Sequence, residues 1–386
     1  MKYVDLVVPS YKDEKKEKKK KIVKFTIAAL LLSIVLYGGY LFYWPISQLI
    51  KEIINNPGIV FSLIKDPLGD LDSTDGRTNI LLLGIDKREG TPFSYKDQEG
   101  ITHKNGFLTD TIIVLSVGKE TKDAVMISIP RDIWVEIPGW DDYSDSVGKI
   151  NSVYSVGNIQ DYPGGGLELA KKVVSKNLGI PIHYATRIDF GGFRNTINTL
   201  EGIEVKVDKT FDDYNYPVEG KENAVCSDGS FSCRYKRIHF DAGLQKMDGE
   251  TALVYVRSRK GTNGEGNDFA RAARQQKVLV AVRKKALSLS NLLEPNKVNN
   301  LFKDFGESVE TDFSLNLYPA ALQLFKGVDT SAIKNLVLDN TKDGYLYSPN
   351  PAQYGGAYVL LPKGENWEKI QKKIHSFLFP PKENSE

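Results

Sequence analysis

The chain has 386 residues, of which 41% are hydrophobic and 26% are charged, as is usual for a globular protein. This length allows one large domain or two ordinary ones, together with terminal segments. The formal net charge is +2, and because lysine dominates the N-terminal tail, the remainder of the chain is mildly acidic. A nucleic-acid-binding domain would normally present a basic face, so the charge distribution argues against that class of protein.

The N-terminal region predicts a single membrane anchor. Residues 1–24 form a basic tail, and residues 25–44 are an apolar, uncharged run of about 20 residues, enough for a helix to cross ~30 Å of hydrocarbon. Tyrosine and tryptophan gather at its far end, and the positive-inside rule places the lysine-rich side in the cytoplasm. A cleaved signal peptide is the alternative, but it would have a shorter apolar core and a small-residue cleavage site. Residues 45–77 follow as a juxtamembrane linker, and the rest of the chain is expected outside the cytoplasm.

The pattern from residue 78 onward predicts an α/β fold, a three-layer α/β/α sandwich with a central mixed sheet. The first apolar, β-branched runs are typical of strands that are buried on both faces. Predicted strands cover 79–85, 111–117, 124–129, 184–190, 203–207 and 357–361, and predicted helices cover 167–178, 193–200, 248–255, 267–287 and 367–377. Residues 291–386 are expected to complete the same domain as residues 78–290, because the strand near the end is too short to form a sheet alone.

The chain has two cysteines, Cys226 and Cys233, which lie close together in a segment with glycine and serine. Outside the cytoplasm such a pair can form a local disulfide, and two free thiols are the alternative. The spacing is not C-x-x-C and no histidine cluster accompanies it, which disfavours a zinc site.

Two aspartates flank the first long strands. Asp86 ends the first strand and Asp110 begins the second. If those strands are antiparallel, both carboxylates lie at the same sheet edge and can share Mg²⁺, which favours one or two carboxylates plus water and phosphate oxygens. Turn residues or helix caps are the alternative interpretation of such aspartates.

Basic side chains concentrate in short segments near the predicted strand ends. Arg131 directly follows the third strand, and Lys149 lies in a loop a little later. Arg257 and Arg259 are two residues apart, so in an extended segment both would point the same way. Guanidinium groups make bidentate contacts with phosphate oxygens, so this concentration indicates a phosphate-rich ligand.

The longest predicted helix carries a polar stripe near its start. Asp268, Arg271, Arg274 and Gln275 fall on one face, which continues into apolar side chains further along the helix. The N-terminus of the helix adds a dipole that favours anions. A salt-bridged surface helix is the alternative, although a solvated face would not need to continue into buried surface.

Several motifs occur in a fixed order between Asn79 and Leu287. The strings NILLLGID, TDTIIVLSV, SIPRD, KINSVYSVG and DFARAARQQ resemble the LytR-CpsA-Psr family. The resemblance implies that residues 78–290 form an α/β/α catalytic domain, which holds a polyprenyl-(pyro)phosphate in a hydrophobic cavity. It also implies Mg²⁺-assisted transfer of a glycopolymer, such as wall teichoic acid or capsule, from this carrier to a peptidoglycan hydroxyl.

The family's functional positions match residues of this chain. Asp86 and Asp110 match the metal-linked aspartates. The implied catalytic residues are Arg257, Arg259, Asp268, Arg271, Arg274 and Gln275, and the implied phosphate-binding residues are Arg131, Lys149, Arg257, Arg259, Arg271 and Arg274. Asp268 is the candidate general base. The implied protein is a single-pass enzyme of the cell membrane with its N-terminus in the cytoplasm.

One position departs from the family pattern. The family usually has Arg two residues before the second aspartate, and here that residue is Leu108, with Lys104 and Arg88 as candidates to compensate. The lost cation keeps a non-catalytic polyprenyl-phosphate-binding protein open as an alternative. A pyrophosphate hydrolase is a further alternative, because water and a sugar hydroxyl are both hydroxyl nucleophiles and the sequence does not separate them. A transcriptional regulator is disfavoured, because the sequence has neither a helix-turn-helix pattern nor a basic domain face.

Overall fold

The structure is a computed structural model, and it describes residues 70–380 except 88–90, 98, 100, 142, 222, 289–305, 307, 315–316 and 330–331. The predicted basic tail, the predicted membrane span at 25–44 and the linker up to residue 69 therefore lie outside the described residues. Of the helices that the structure does describe, none combines the length and the apolarity needed to cross a bilayer.

The described elements include sixteen strands and seven α-helices. The strands are β1 (Arg77–Ile85), β2 (Ser94–Lys96), β3 (Thr102–Lys104), β4 (Thr109–Gly118), β5 (Ala124–Ser128), β6 (Trp134–Ile137), β7 (Ser146–Lys149), β8 (Tyr184–Asp189), β9 (Ile203–Val207), β10 (Phe211–Pro217), β11 (Tyr235–Phe240), β12 (Gly243–Met247), β13 (Val309–Thr311), β14 (Ile333–Val337), β15 (Leu346–Tyr347) and β16 (Leu361–Pro362). The helices are α1 (Val153–Ile159), α2 (Gly165–Leu178), α3 (Phe190–Thr199), α4 (Gly249–Arg257), α5 (Asp268–Ala286), α6 (Tyr318–Gly327) and α7 (Glu368–Leu378).

The central sheet has the strand order β13-β8-β1-β4-β5-β14. Strand β1 pairs antiparallel with β4 and parallel with β8, while β5 pairs antiparallel with β4 and parallel with β14. Strands β1, β5, β8 and β14 therefore run in one direction, and their carboxyl ends share one edge of the sheet. The predicted α/β fold with a central mixed sheet is confirmed.

Helices cover both faces of this sheet, because its inner strands are apolar on both sides. On the first face, Leu83 and Ile112 belong to a core that includes Leu169 of α2 and Ile374 of α7. On the second face, α5 lies against the sheet through a hydrogen bond from Gln276 Nε2 to Ser128 Oγ, 2.9 Å long. Helices α3 and α4 share a second core with α5.

The C-terminal part contributes both edge strands. Strand β13 pairs antiparallel with β8, and β14 pairs parallel with β5. The prediction of a strand at 357–361 is wrong. Leu360 forms only an isolated bridge with Ile133, and the short strand β16 that follows pairs with β15 in a separate two-stranded ladder. A short apolar run does not by itself distinguish a strand from a segment that packs on the core.

Two further features depend on local chemistry. Helix α3 begins at Phe190, earlier than predicted, because the Asp189 carboxylate caps it by accepting a hydrogen bond from the Gly192 amide at 2.8 Å. The hairpin of β10 and β11 carries a long connecting loop, in which Cys226 and Cys233 are joined by a disulfide.

Candidate functional site

The shared edge of the parallel strands gathers most of the residues singled out in the sequence. Asp86 follows β1 and Arg131 lies three residues after β5, and Asp189, which was not singled out in the sequence, ends β8 at the same edge. In open α/β sheets, ligands bind in the crevice outside the carboxyl ends of the strands. This edge is therefore the candidate functional site.

A β-bulge shapes the position of Asp110. Gly84 is paired with Thr111 but Ile85 is paired with Thr109, so Asp110 is the extra residue of the bulge. A bulge bends its strand and redirects a side chain, and bulges occur frequently beside active sites. Next to it, the Asp86 amide donates to the Leu108 carbonyl at 3.4 Å. The two aspartates predicted as metal ligands thus lie at the same sheet edge: Asp86 directly follows β1, and Asp110 lies in the first residues of the antiparallel neighbour β4.

Arg131 links this edge to neighbouring charges. Its Nη1 lies 2.6 Å from Asp110 Oδ1, and its Nε lies 3.6 Å from Asp132 Oδ2. Burial by itself would lower the pKa of Arg131, but the carboxylates of Asp110, Asp132 and Asp268 raise it above its usual range. Lys149 also contacts Asp132, with 2.7 Å between Nζ and Oδ1. Asp132 was missed in the sequence, although its place beside Arg131 in the SIPRD motif was a usable signal.

Arg257 and Arg259 belong to different kinds of segment. Helix α4 extends through Arg257, so the assumption of an extended segment for this pair is wrong. The Arg257 guanidinium lies 4.2 Å from the ring centre of Phe190, just beyond the end of β8. Arg259 follows in the loop, where Nη2 is 3.8 Å from Asp268 Oδ1 and the side chain is nearly half exposed. Both side chains are therefore tied to groups at or near the candidate site.

The start of α5 completes a charged cluster at this edge, which consists of Arg131, Arg259, Asp268 and Arg271. The Asn267 side chain caps the helix by accepting from the Ala270 amide at 2.8 Å. Arg271 Nη1 lies 3.1 Å from Asp268 Oδ1, and the Arg271 residue is only 9% exposed. Burial lowers the pKa of the Arg271 guanidinium; Asp268 opposes this shift, whereas the nearby cations Arg259 and Arg131 add to it. Arg271 is thus a buried cation with two cationic neighbours, an arrangement that an anion would stabilise.

Arg274 lies on the same helix but serves another purpose. Its guanidinium donates to the carbonyl oxygens of Tyr255 and Ser258, at 2.9 and 2.5 Å, and to the Glu265 carboxylate at 2.6 Å. The side chain is about 1% exposed. The predicted phosphate-binding role does not fit this position, because the guanidinium is directed into the loop that joins α4 to α5.

A second buried group holds the same loop. The Asp213 carboxylate, which is 1% exposed, accepts from Ser258 Oγ at 2.8 Å and from the amides of Arg259 and Lys260 at 3.2 and 3.0 Å. Sequence reasoning missed Asp213, because an acidic residue in a polar hairpin carries no signal of burial. Its contacts fix the backbone at Arg259.

The remaining predicted residues have separate partners. Gln275 Nε2 donates to Thr111 Oγ1 at 2.9 Å, next to Asp110. Leu108 is about half exposed. Lys104 pairs with Asp161, so its contacts lie away from the cluster. Arg88, the other candidate to compensate for Leu108, lies outside the described residues.

The fit of a magnesium ion depends on the donor chemistry at this edge. Across the part of the chain that the structure describes, no group of three or more His, Cys, Asp or Glu side chains could hold a metal ion. Mg²⁺ does not require such a cage, because it is commonly held by one or two carboxylates together with water and substrate phosphate oxygens. Asp86 and Asp110 supply hard oxygen ligands of this kind, so they fit Mg²⁺ in the presence of a phosphate substrate.

Comparisons with known proteins place this geometry in a family. The model described as the LytR_cpsA_psr family matches residues 57–376. The chain belongs to the LytR-CpsA-Psr family. Its members provide direct comparisons for both the sequence and the fold.

Relatives in this family include transferases. The polyisoprenyl-teichoic acid–peptidoglycan teichoic acid transferase TagV of Bacillus subtilis (strain 168) is 29% identical over 358 residues, which are 93% of this chain and 78% of that protein. The corresponding transferase TagT of the same organism is 26% identical, over 96% of this chain and 98% of that protein. The crystal structure of B. subtilis TagV has a TM-score of 0.52 and 27% identity, covering 80% of this chain and all of that one.

Because Arg274 is buried and Arg259 is half exposed, replacing them should change the stability of the protein by very different amounts. Replacing Arg274 by Met removes its bonds to the loop and leaves Glu265 without its cation, so the free energy of unfolding should fall by about 3 kcal/mol. Arg259→Met, at a half-exposed side chain, should change it by no more than about 0.5 kcal/mol. Urea unfolding of the full-length chain measures both values, and limited proteolysis should cut Arg274→Met within residues 258–266. Equal losses of stability in the two variants would contradict the assignment.

Proposed function

We propose that this LytR-CpsA-Psr protein is a phosphotransferase that moves a glycopolymer from a polyprenyl-pyrophosphate carrier to a peptidoglycan hydroxyl. The observation that supports this most strongly is the cluster at the sheet edge, where Arg259 and Arg271 both contact Asp268 and Arg131 lies within electrostatic reach of Arg271. The names of TagV and TagT, relatives that align over most of this chain, support the same reaction class.

The electrostatics of Arg271 support binding of a pyrophosphate. A buried guanidinium beside two other cations is destabilised, as the lowered pKa of Arg271 indicates, and the Asp268 carboxylate offsets this only in part. A pyrophosphate diester carries two negative charges and several acceptor oxygens, so it would relieve this repulsion. Planar guanidinium groups suit such oxygens because they can donate two parallel hydrogen bonds.

The proposed reaction is an in-line displacement at phosphorus. The acceptor hydroxyl oxygen attacks the phosphorus attached to the donor sugar, and its proton passes to the Asp268 carboxylate. The bond between that phosphorus and the bridging oxygen of the pyrophosphate breaks, so polyprenyl phosphate leaves. Arg259 and Arg271 stabilise the charge that develops on the phosphoryl and leaving oxygens, which is the main requirement of phosphoryl transfer.

Other residues of the chain prepare the site for this reaction. Asp86 and Asp110 would hold Mg²⁺, which would supply charge neutralisation at the pyrophosphate oxygens. Arg274 and Asp213 act as positioning residues, because they hold the loop that carries Arg259.

The proposed location is the outer face of the cell membrane. Residues 25–44 would anchor the domain beside its lipid-linked donor and raise the effective concentration of that donor. The disulfide between Cys226 and Cys233 supports an oxidising environment, because such bonds rarely persist in the cytoplasm.

The metal assignment predicts the behaviour of Asp86→Asn. This variant should lower the rate of transfer on the order of 100-fold, because a ligand for the charge-neutralising cation is weakened. The rate should recover partly at high Mg²⁺ concentration. The assay uses the full-length chain in detergent, a lipid-linked glycopolymer and peptidoglycan, and it detects both the covalent product and polyprenyl phosphate.

The matched control is Asp241→Asn, at an exposed carboxylate that pairs with His239, which should transfer at the wild-type rate. An Asp86→Asn variant with the wild-type rate and the wild-type Mg²⁺ dependence would contradict the metal assignment. Release of polyprenyl phosphate without an acceptor, and without a covalent product, would identify a hydrolase instead.

Binding of the carrier without turnover is the second candidate function, and Leu108 is the observation that favours it. Its half-exposed side chain stands where the family usually has Arg, close to Asp86 in the backbone ladder. If the lost cation limits catalysis, Leu108→Arg should raise the transfer rate about tenfold, the equivalent of roughly 1.4 kcal/mol of added stabilisation. Leu108→Gln, of similar length but uncharged, is the control. A wild-type chain that binds the carrier, together with a Leu108→Arg variant that alone transfers, would establish the binding function.

A further inference from the structure

A cavity of about 430 Å³ lies on the first face of the sheet, beside β8 and helices α1 and α2. Its volume falls in the range of about 300–1,000 Å³ that small-ligand sites occupy. None of the arginines of the charged cluster lines it, so it is separate from the candidate phosphate site.

Two helices approach each other closely at the wall of the cavity. A Cβ atom at Gly157 of α1 would lie 2.8 Å from the Gly166 Cα, and one at Gly166 of α2 would lie 2.2 Å from the Tyr154 carbonyl oxygen. Only glycine fits at both positions. Ser155 and Asn158, side chains of α1 near this contact, line the cavity.

Aromatic rings form much of the wall. Phe93, Phe107, Tyr154 and Tyr162 line the cavity, and the first two meet edge to face with 5.3 Å between ring centres. The Arg187 guanidinium lies 4.5 Å from the Phe93 ring centre. Aromatic faces of this kind pack well against the C–H faces of sugar rings, which are apolar, while sugar hydroxyl groups require hydrogen-bond partners.

The charged groups of the cavity balance each other. Lys104 pairs with Asp161, and Arg187 Nη2 lies 3.2 Å from Glu310 Oε2, which also accepts from the Tyr154 hydroxyl at 2.5 Å. Two cations offset by two carboxylates do not favour a phosphate. An apolar lipid tail is also disfavoured, because it would cover these polar groups without offering them hydrogen bonds. A neutral, polyhydroxylated ligand can use both the donors and the acceptors.

One chain segment connects the cavity to the sheet edge. Asp86 and Asp110 lie at the two ends of this segment, and Phe93 and Phe107 lie within it. Lys87 Nζ is 4.9 Å from the Phe93 ring centre and 3.4 Å from Asp189 Oδ2. A ligand in the cavity would therefore be close to the carboxyl ends of β1 and β8.

We propose that this cavity is a saccharide-binding subsite that takes an uncharged sugar unit. That this sugar belongs to a substrate of the chain rests on the proposed function, whereas saccharide binding itself does not. The sugar comes from one of two sources with the same chemistry, the peptidoglycan glycan strand or the glycopolymer.

The test is calorimetric titration of the full-length chain in detergent. One arm uses a neutral N-acetylglucosamine tetramer as a model of the glycan strand, and the other uses the sugar repeat of the glycopolymer, without phosphate and released from its carrier. At least one should bind, and the one that binds identifies the source. Glu310→Gln, which keeps the shape of the side chain, and Phe107→Leu, which removes the ring, should each weaken binding about tenfold, as expected for the loss of one charged hydrogen-bond acceptor or one stacking surface.

Phe231→Leu is the matched control, because Phe231 is an exposed ring in the disulfide loop; it should bind as the wild type does. The proposal is overturned if neither saccharide binds, or if neither cavity variant weakens binding. It is also overturned if Arg257→Ala weakens binding as much as the cavity variants do. The transfer assay separates this result from the proposed function: saccharide binding at the cavity without transfer would overturn only the proposed function, and transfer without binding there would overturn only the subsite.

Discussion

The candidate site depends on two buried charged groups that hold one loop. Asp213 accepts hydrogen bonds from the backbone at Arg259 and Lys260, and Arg274 donates to carbonyl oxygens at Tyr255 and Ser258. Charged hydrogen bonds of this kind are stronger than neutral ones, and they are costly to break when buried. They fix the chain between α4 and α5 before any ligand arrives.

This fixed loop matters for chemistry because catalysis of phosphoryl transfer is mostly positioning and charge stabilisation. The backbone of Arg259 is held by Asp213, and Arg271 lies about one turn into the helix that follows. A Cβ atom at Gly261 would lie 2.9 Å from a ring carbon of Phe211, so the loop also packs too closely for a side chain there. The cations are thereby presented in a set arrangement, and little reorganisation is needed when negative charge develops.

The sheet imposes the second constraint. Four of its strands run in one direction, so the loops that follow them open at the same edge. Between β1 and β4 the chain leaves this edge and returns to it, carrying Asp86 at one end and the bulged Asp110 at the other. The aromatic residues Phe93 and Phe107 of that segment line the cavity on the first face. A single segment therefore serves the proposed metal site and the proposed saccharide subsite.

Periodicity and composition predicted the elements whose residues are buried. The runs at 79–85, 111–117 and 124–129 are apolar because helices cover both faces of the sheet, and the structure places β1, β4 and β5 there. The hairpin of β2 and β3 was not predicted, because every residue of its two strands is exposed and these strands carry no alternation of apolar and polar residues. Edge strands β13 and β14 are short, and their pairing is decided by tertiary contacts rather than by local sequence.

For the site, the residue types and their spacing could be predicted from the sequence, but the direction in which each side chain points could not. Arg271 and Arg274 lie three positions apart on α5, yet one belongs to the charged cluster and the other holds a loop. That difference arises from the packing of Tyr255 and Glu265 around Arg274, which no helical period encodes. The bulge at Asp110 was equally hidden, because it is a property of the pairing between two strands.

The most direct test of the central claim is the identity of the lipid that purifies with the full-length chain. The charged cluster should retain a polyprenyl phosphate or pyrophosphate, detectable by mass spectrometry after solvent extraction of the folded protein. The Arg257→Ala/Arg259→Ala double variant, folded to the same extent, should have lost it. A folded wild-type chain without such a lipid, or a double variant that retains it fully, would contradict the assignment of this sheet edge as the carrier-binding site.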